Sequence, residues 1–361
     1  MRVYVYPSDL GGCGYYRLIW PAKRLQQLGY DIKIVHPKQA NKIKGGTDAD
    51  GKLIQISRPN DADVMVFQRV TSRLIVDGID IIRKSGTAVV LDVDDDMSAI
   101  DQRNPAWVAL HPKSTGRTAE YDWNSALRSC ERATFVTVSS DALLPRYAKH
   151  GRGVVLRNCV PEILTKIAHE EEPDTIGWGG SMHSHPDDPQ MVGSSMGRLY
   201  REGYKFKIVG PSHGTRTAFQ LDTEPLSTGA VEIQRWPHEL TKLAVGVAPL
   251  NGTRFNEAKS WLKMLEYAAL GVPCIGSPRA EYRKIHALGV GLLADNPKEW
   301  YRHAKSLLTD DARRGEMSAA GRVAVAQLTI EANAWRWLEA WTRAFEIERG
   351  PLGIRHSEIS R

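Results

Sequence analysis

Apolar and polar positions along this chain repeat one order: a short β-rich run, a polar turn, then apolar residues at helical spacing. Arg2–Tyr6 is the first run, Gly11-Gly12-Cys13-Gly14 interrupts it, and Tyr16 to Leu28 reads as a helix ended by Gly29. Asp31–Val35 follows as a strand. A strand–loop–helix–strand opening predicts a parallel sheet. Further strands are expected at Val64–Phe67, Ala88–Val93, Thr134–Val138 and Gly153–Leu156. Helices are expected between the first two of these, over Tyr121–Arg132, and after Ser140, where Leu143, Leu144 and Tyr147 give the apolar face.

Arg157 to Pro173 reads as a connection, and the same order then restarts. Thr175–Trp178, Lys205–Val209, Val231–Gln234 and Val245–Leu250 are the expected strands, with helices over Met191–Glu202 and Pro237–Leu243. A polar loop, Asn251 to Asn256, leads into a helix that stops at Gly271-Val272-Pro273, before a short strand from Cys274. Leu292-Leu-Ala and helices after Pro297 complete the half. Ile330 to Ile347 is a last helix with Trp335, Leu338, Trp341 and Phe345 as an apolar stripe. The expected fold class is α/β with two Rossmann-like domains, 1–160 and 161–329, a C-terminal helix over 330–349 and a flexible tail over 350–361.

A length of 361 residues fits two separate cores. Apolar content of 42% and charged content of 25% are those of an ordinary globular protein, which excludes a disordered or fibrous chain. Cys13, Cys130, Cys159 and Cys274 lack metal-type spacing and read as thiols in a reducing compartment. No apolar run approaches the roughly 18–20 residues of a membrane span. The start in a strand gives no secretory signal, so a cytoplasmic location is expected. The net charge of +6 suits nucleotide phosphates, nucleic acid or an anionic surface, but its spread along the chain singles out none of them.

The candidate chemistry is concentrated at the predicted strand ends. Lys259, Ser260, Lys263 and Glu266 stand near the start of the helix that ends at Gly271. Three or four residues apart, the two lysines and the glutamate are expected to share one helical face. A helix N-terminus with lysines suits phosphates, and a carboxylate deeper along it suits ribose hydroxyls. Gly12 and Gly14 let backbone approach a ligand or simply make a tight turn. Arg17 stands where a dinucleotide fingerprint has its third glycine, which argues against a nicotinamide cofactor. Asp92, Asp94, Asp95 and Asp96 close one strand. They read as a metal site, as Asp94 or Asp95 beside a bound ligand, or as a solvated or capping loop. Gly180 and Ser181 follow the first strand of the second half and offer backbone and hydroxyl donors. His183 and His185 form a His-x-His that lacks the further ligands of a metallohydrolase and reads as a polar loop. Arg235 and Trp236 stand between a strand and a helix, where core packing of Trp236 is the plain reading.

The run Glu266-Tyr-Ala-Ala-Leu-Gly-Val-Pro-Cys-Ile275 resembles the donor-binding segment of glycosyltransferase family 4, which has the GT-B architecture. The glutamate that the family usually carries eight residues earlier is Ala258 here, and the spacing of Lys259, Lys263 and Glu266 resembles the lysine-bearing branch. The resemblance implies parallel sheets facing an inter-domain cleft, with the C-terminal helix crossing back. It implies a retaining transfer of sugar from a nucleoside diphosphate sugar, with no metal and no cofactor beyond that co-substrate. Lys259 and Lys263 would then serve the diphosphate, Glu266 the ribose, Gly12, Gly14, Gly180 and Ser181 the phosphate side, and Arg235 and Trp236 the base. Asp94 falls on the position of the family's histidine, so Asp94 or Asp95 is the catalytic candidate. Chains of this kind resemble bacteriophage enzymes that act in the host cytoplasm and bacterial enzymes of surface polysaccharides. The acceptor is accordingly a virion protein, a modified DNA base or a glycan. A nucleotide-sugar epimerase and a non-catalytic nucleic-acid-binding protein are the alternatives.

Overall fold

The computed structural model of the chain describes residues 1–40, 43–104, 106–107 and 123–350. Contacts divide it into two units. The first comprises Met1–Ile100, Ala106–Asn158 and the chain from Ile330 onward, and the second Asp101–Pro105 and Cys159–Thr329.

The first unit has strands β1 (Val3–Tyr6), β2 (Ile32–Ile34), β3 (Gly45–Thr47), β4 (Leu53–Ile56), β5 (Val64–Gln68), β6 (Ala88–Val93), β7 (Phe135–Val138) and β8 (Gly153–Val155). Six of them form a parallel sheet in the order β2-β1-β5-β6-β7-β8. Every residue of β5 and β6 is buried, which is why both read as unbroken apolar runs rather than alternating ones. β3 and β4 pair antiparallel as a separate ribbon, and buried Ile56 closes against Gly78 of the helix Arg73–Lys84.

Two expectations change here. The glycine stretch is not a loop: Gly12–Gly14 is already helical and runs through a π-helical segment, Tyr15–Ile19, into the helix Trp20–Gln27. The cause is Asp9, whose Oδ1 accepts the Gly11 amide at 2.8 Å and the Gly14 amide at 3.1 Å and so satisfies the start of the helix. The last helix, Ile330–Arg349, buries Ala334, Trp337, Ala340, Trp341 and Ala344 instead of a stripe through Trp335, which is 57% exposed. Three alanines on that face let the helix lie close, and the Trp337 indole N–H donates to Arg17 O at 2.7 Å. The tail expected over 350–361 lies outside the described residues from 351 on.

The second unit has strands β9 (Glu172–Gly179), β10 (Lys205–Val209), β11 (Leu226–Ser227), β12 (Leu243–Ala248), β13 (Cys274–Gly276) and β14 (Leu292–Leu293). They form a parallel sheet in the order β11-β10-β9-β12-β13-β14 over a core that includes Trp178, Phe206, Phe219 and Trp300. The strand expected at Val231–Gln234 is absent. β11 takes the place beside β10, with Lys207 opposite Leu226, and the later segment turns, its Glu232 carbonyl accepting the Arg235 and Trp236 amides at 3.0 Å. The acidic stretch read as linker enters the sheet, because β9 starts at Glu172.

The helix Leu262–Ala269 ends in a left-handed turn, with Gly271 at φ +74° and the Val272 amide donating to Tyr267 O at 2.9 Å. The Arg322 guanidinium donates to the carbonyls of Ala269 and Leu270, capping the negative end of that helix. A Cβ on Gly271 would come within 2.6–2.8 Å of Arg322 and Ser318. Gly271→Ala is therefore expected to destabilise the protein by about 2 kcal/mol, combining left-handed strain with loss of the cap. Urea unfolding checks this, and a midpoint within error of wild type would refute it.

Candidate functional site

In the second unit, β9 delivers its C-terminal end into the turn Gly179-Gly180-Ser181. Two glycines make the close passage there possible. The Gly180 amide donates to Val209 O at 3.0 Å, and Gly210, at φ +134°, packs so tightly that a Cβ on it would lie 2.2 Å from Gly180 O. The Gly179 amide donates to the Tyr267 hydroxyl at 2.9 Å, which donates in turn to Val247 O at 3.3 Å. Tyr267 thereby fixes the turn from the helix Leu262–Ala269.

The same helix places Lys263, whose ammonium donates to Gly179 O and lies 5.4 Å from the centre of the Trp178 ring. Burial pushes Lys263 down to about 8, the nearby Glu266 charge opposes that shift, and Lys259 adds to it. Glu266 is buried, one turn along the helix face from Lys263. Lys259 and Ser260 do not share this face. Thr253 caps a separate helical turn, Arg254–Glu257, by accepting the Asn256 amide, and the next helix begins only at Leu262. Lys259 instead extends its ammonium over the Phe255 ring at 4.4 Å. The second unit thus holds Lys263 against the glycine turn, with Glu266 one turn further along the same helix and Lys259 carried by the connecting segment.

A network that the sequence reading passed over anchors the turn that continues through Ser181. His185 Nδ1 is 2.7 Å from Asp188 Oδ2. Asp188 Oδ1 accepts the Asn251 amide at 2.9 Å and the Asn256 side-chain amide. Asp188 therefore ties the His185 turn to the loop before Lys259. Burial brings His185 down to about 4 against the pull of Asp188, with Lys263 and Lys259 acting in the same direction as burial, so the ring is neutral at ordinary pH. The signal in the sequence was His185 three residues before Asp188, not the His-x-His. Ser181 and His183 contact each other within the same turn. Trp236 packs against the position of Gly179, and Arg235 is 77% exposed beside Glu239.

Four carboxylates of the first unit, Asp92, Asp94, Asp95 and Asp96, gather at the C-terminal end of β6, and each meets an arginine. Asp92 is fully buried and takes two hydrogen bonds from Arg17, at 3.0 and 2.8 Å, and one from Thr137 at 2.6 Å. Arg69 grips both oxygens of Asp94 and reaches Asp95 at 2.8 Å. It does so from a left-handed backbone, φ 50°, at the tip of β5. Burial and the charges of Asp95 and Asp92 push Asp94 up, against the pull of Arg69. Asp96 caps a short turn and pairs with Arg146 at 2.9 Å. Arginine pairing thus answers the repulsion in this run, and among the described residues no three His, Cys, Asp or Glu side chains group as metal ligands. The Gly14 amide is taken by Asp9, so of the two glycines proposed to face a ligand only Gly12 has open space at its Cβ position.

Two parallel-sheet α/β units of this topology are the GT-B fold. Solved structures share it over nearly the whole chain. A sucrose-phosphate synthase from Thermosynechococcus elongatus aligns with TM-score 0.63 at 13% identity, over 96% of this chain and 99% of that one. Anabaena HepE, solved with UDP, aligns with TM-score 0.59 at 11% identity, over 95% and 100%. A glycosyltransferase from Rickettsia africae aligns with TM-score 0.64 at 11% identity, over 95% and 98%. At these identities the likeness is one of fold. Neither a protein-family model nor a curated protein matches the sequence.

Proposed function

We propose that the chain is a glycosyltransferase that moves a sugar from a nucleoside diphosphate sugar to a hydroxyl acceptor on a protein, a DNA base or a glycan. The observation that carries this reading is the part-buried ammonium of Lys263 held against the glycine turn at the tip of β9, with buried Glu266 one turn further along the same helix. A cation there neutralises charge that grows on a departing diphosphate, and a water-poor setting strengthens the effect. Glu266 accepts from ribose hydroxyls, Gly180 and Ser181 donate to phosphate oxygens, and Lys259 adds a second cation from its segment. Trp236 and Arg235 border the base. HepE, which shares the fold, is a UDP-binding protein by its solved complexes.

In this reading Asp94 or Asp95 in the first unit lies by the transferred sugar, and Arg69 holds both in place. Transfer proceeds with retention, without metal, and Gly12 borders the phosphate side. Among the described residues no helix is long and apolar enough to cross a membrane.

Glu266→Ala and Lys259→Ala are the direct test. Each is expected to weaken binding of nucleotide sugar by about tenfold or more, the scale of a hydrogen bond to a charged group. The check is a panel of nucleotide sugars with mass spectrometry on candidate acceptors, together with proton NMR of the product's anomeric configuration. Wild-type turnover in both variants would sink the assignment. A sugar nucleotide returned altered, with no acceptor modified, would mark an epimerase instead.

A further inference from the structure

We infer that His185 is a specificity-determining residue that accepts a hydrogen bond from a hydroxyl of the bound sugar, and that Asp188 is the positioning residue that holds its ring. The ligand in this inference rests on the reading of the second unit as the donor site. The ring geometry does not.

Asp188 is 2% exposed and has both oxygens engaged. Oδ1 is held by the Asn251 amide and the Asn256 side chain, so Oδ2 faces His185 Nδ1 and cannot swing away. An ionised carboxylate only accepts, so the proton of the neutral ring sits on Nδ1 and the lone pair on Nε2. Among the described residues Nε2 has no protein partner, and it is not sealed in the core.

The surroundings select what Nε2 takes. The imidazole stands edge-on to Trp178, with ring centres 6.0 Å apart, and Trp178 is the ring under the Lys263 ammonium. The imidazole therefore flanks the same indole as the proposed phosphate cation. Lys263 and Lys259 disfavour a second proton on it, and Asp188 favours one but is outweighed by burial. A phosphate oxygen offers only lone pairs and repels an unprotonated Nε2. A sugar hydroxyl donates, and it lies next to the diphosphate in any nucleotide sugar. Asp188 thus acts on the sugar through the imidazole, as second partners fix the tautomer of other functional histidines.

The experiment has two arms. Nitrogen-15 NMR of the ring at pH 7.5 is expected to show a neutral imidazole protonated on Nδ1, and a proton on Nε2 or a cationic ring would overturn the inference. Calorimetry then compares UDP-glucose, GDP-mannose and dTDP-glucose with their free nucleoside diphosphates. In His185→Ala the free diphosphate is expected to bind as it does to wild type. The advantage of the nucleotide sugar over it should shrink by about 3–10-fold, the scale of one neutral hydrogen bond. Asp188→Asn should show the same loss together with a changed ring tautomer. Equal loss of free diphosphate and nucleotide sugar would overturn the inference, as would unchanged discrimination. If wild type binds none of these ligands, the donor-site reading itself falls, whatever the tautomer.

Discussion

Lys263→Ala is expected to lower sugar transfer by about 10²–10³-fold, the range seen when one preorganised donor to developing negative charge is removed. Lys263 is packed over Trp178, part-buried, and tethered to Gly179 O, so it needs little reorganisation when the diphosphate departs. Substrate binding should suffer less than turnover, because charge grows on the leaving group during the reaction. The group also sets a pH dependence. Its pKa is about 8 in the ligand-free protein, and a bound diphosphate favours the ammonium and raises it. Affinity is therefore level at lower pH and declines as pH rises through about 8, with a proton taken up on binding in that range. Calorimetry at several pH values, in buffers of different ionisation heat, measures both. Affinity unchanged up to pH 9.5, or a Lys263→Ala variant that still shows the decline, would exclude Lys263 as the group responsible.

Arg17→Met carries the largest expected effect on stability. The guanidinium is 1% exposed, makes two bonds to fully buried Asp92, one to Asn158 at 2.9 Å and one to Leu156 O, and lies over Trp337. Methionine fills much of the volume but leaves the Asp92 carboxylate without its cation. Breaking a buried pair from one side typically costs about 3–5 kcal/mol, a large part of the roughly 5–15 kcal/mol of a whole domain. Pairing the change with Asp92→Asn should recover part of the loss, because the remaining charge is then gone. Urea unfolding of the single and double variants gives the coupling, and a loss below about 1 kcal/mol for Arg17→Met would show that Asp92 finds another partner.

The strands were legible because buried parallel strands are written as short apolar runs rich in valine, as in β5 and β6. The helix end at Gly271 was legible too, since a left-handed stop followed by proline is a local signal. Lys259 was misplaced because its spacing to Lys263 presumes one continuous helix, whereas Thr253 starts a turn that ends before Leu262. Val231–Gln234 has strand composition, but β11 had already filled the place beside β10. The ion pairs were beyond reach for a different reason. Arg17 and Asp92 lie 75 positions apart, and Asn256 and Asp188 lie 68 apart, so their partnership is set by sheet order and not by any pattern along the chain. Arg17 entered the sequence reading only as a glycine that was missing.

One consequence follows from the way Lys263 is tethered. Its partner is the main-chain oxygen of residue 179, which every amino acid supplies. The contact is thus out of reach of a change in side-chain chemistry there, and sequence drift cannot erase it by swapping one acceptor for another. What it depends on is room: Gly179, Gly180 and Gly210 each leave space that an added methyl would take from Trp236, Trp178 or the neighbouring backbone. The heritable weak points of the charge-handling turn are therefore its emptiest residues. In a mutational scan they would stand out as intolerant to alanine while carrying no charge, polarity or reactive atom of their own.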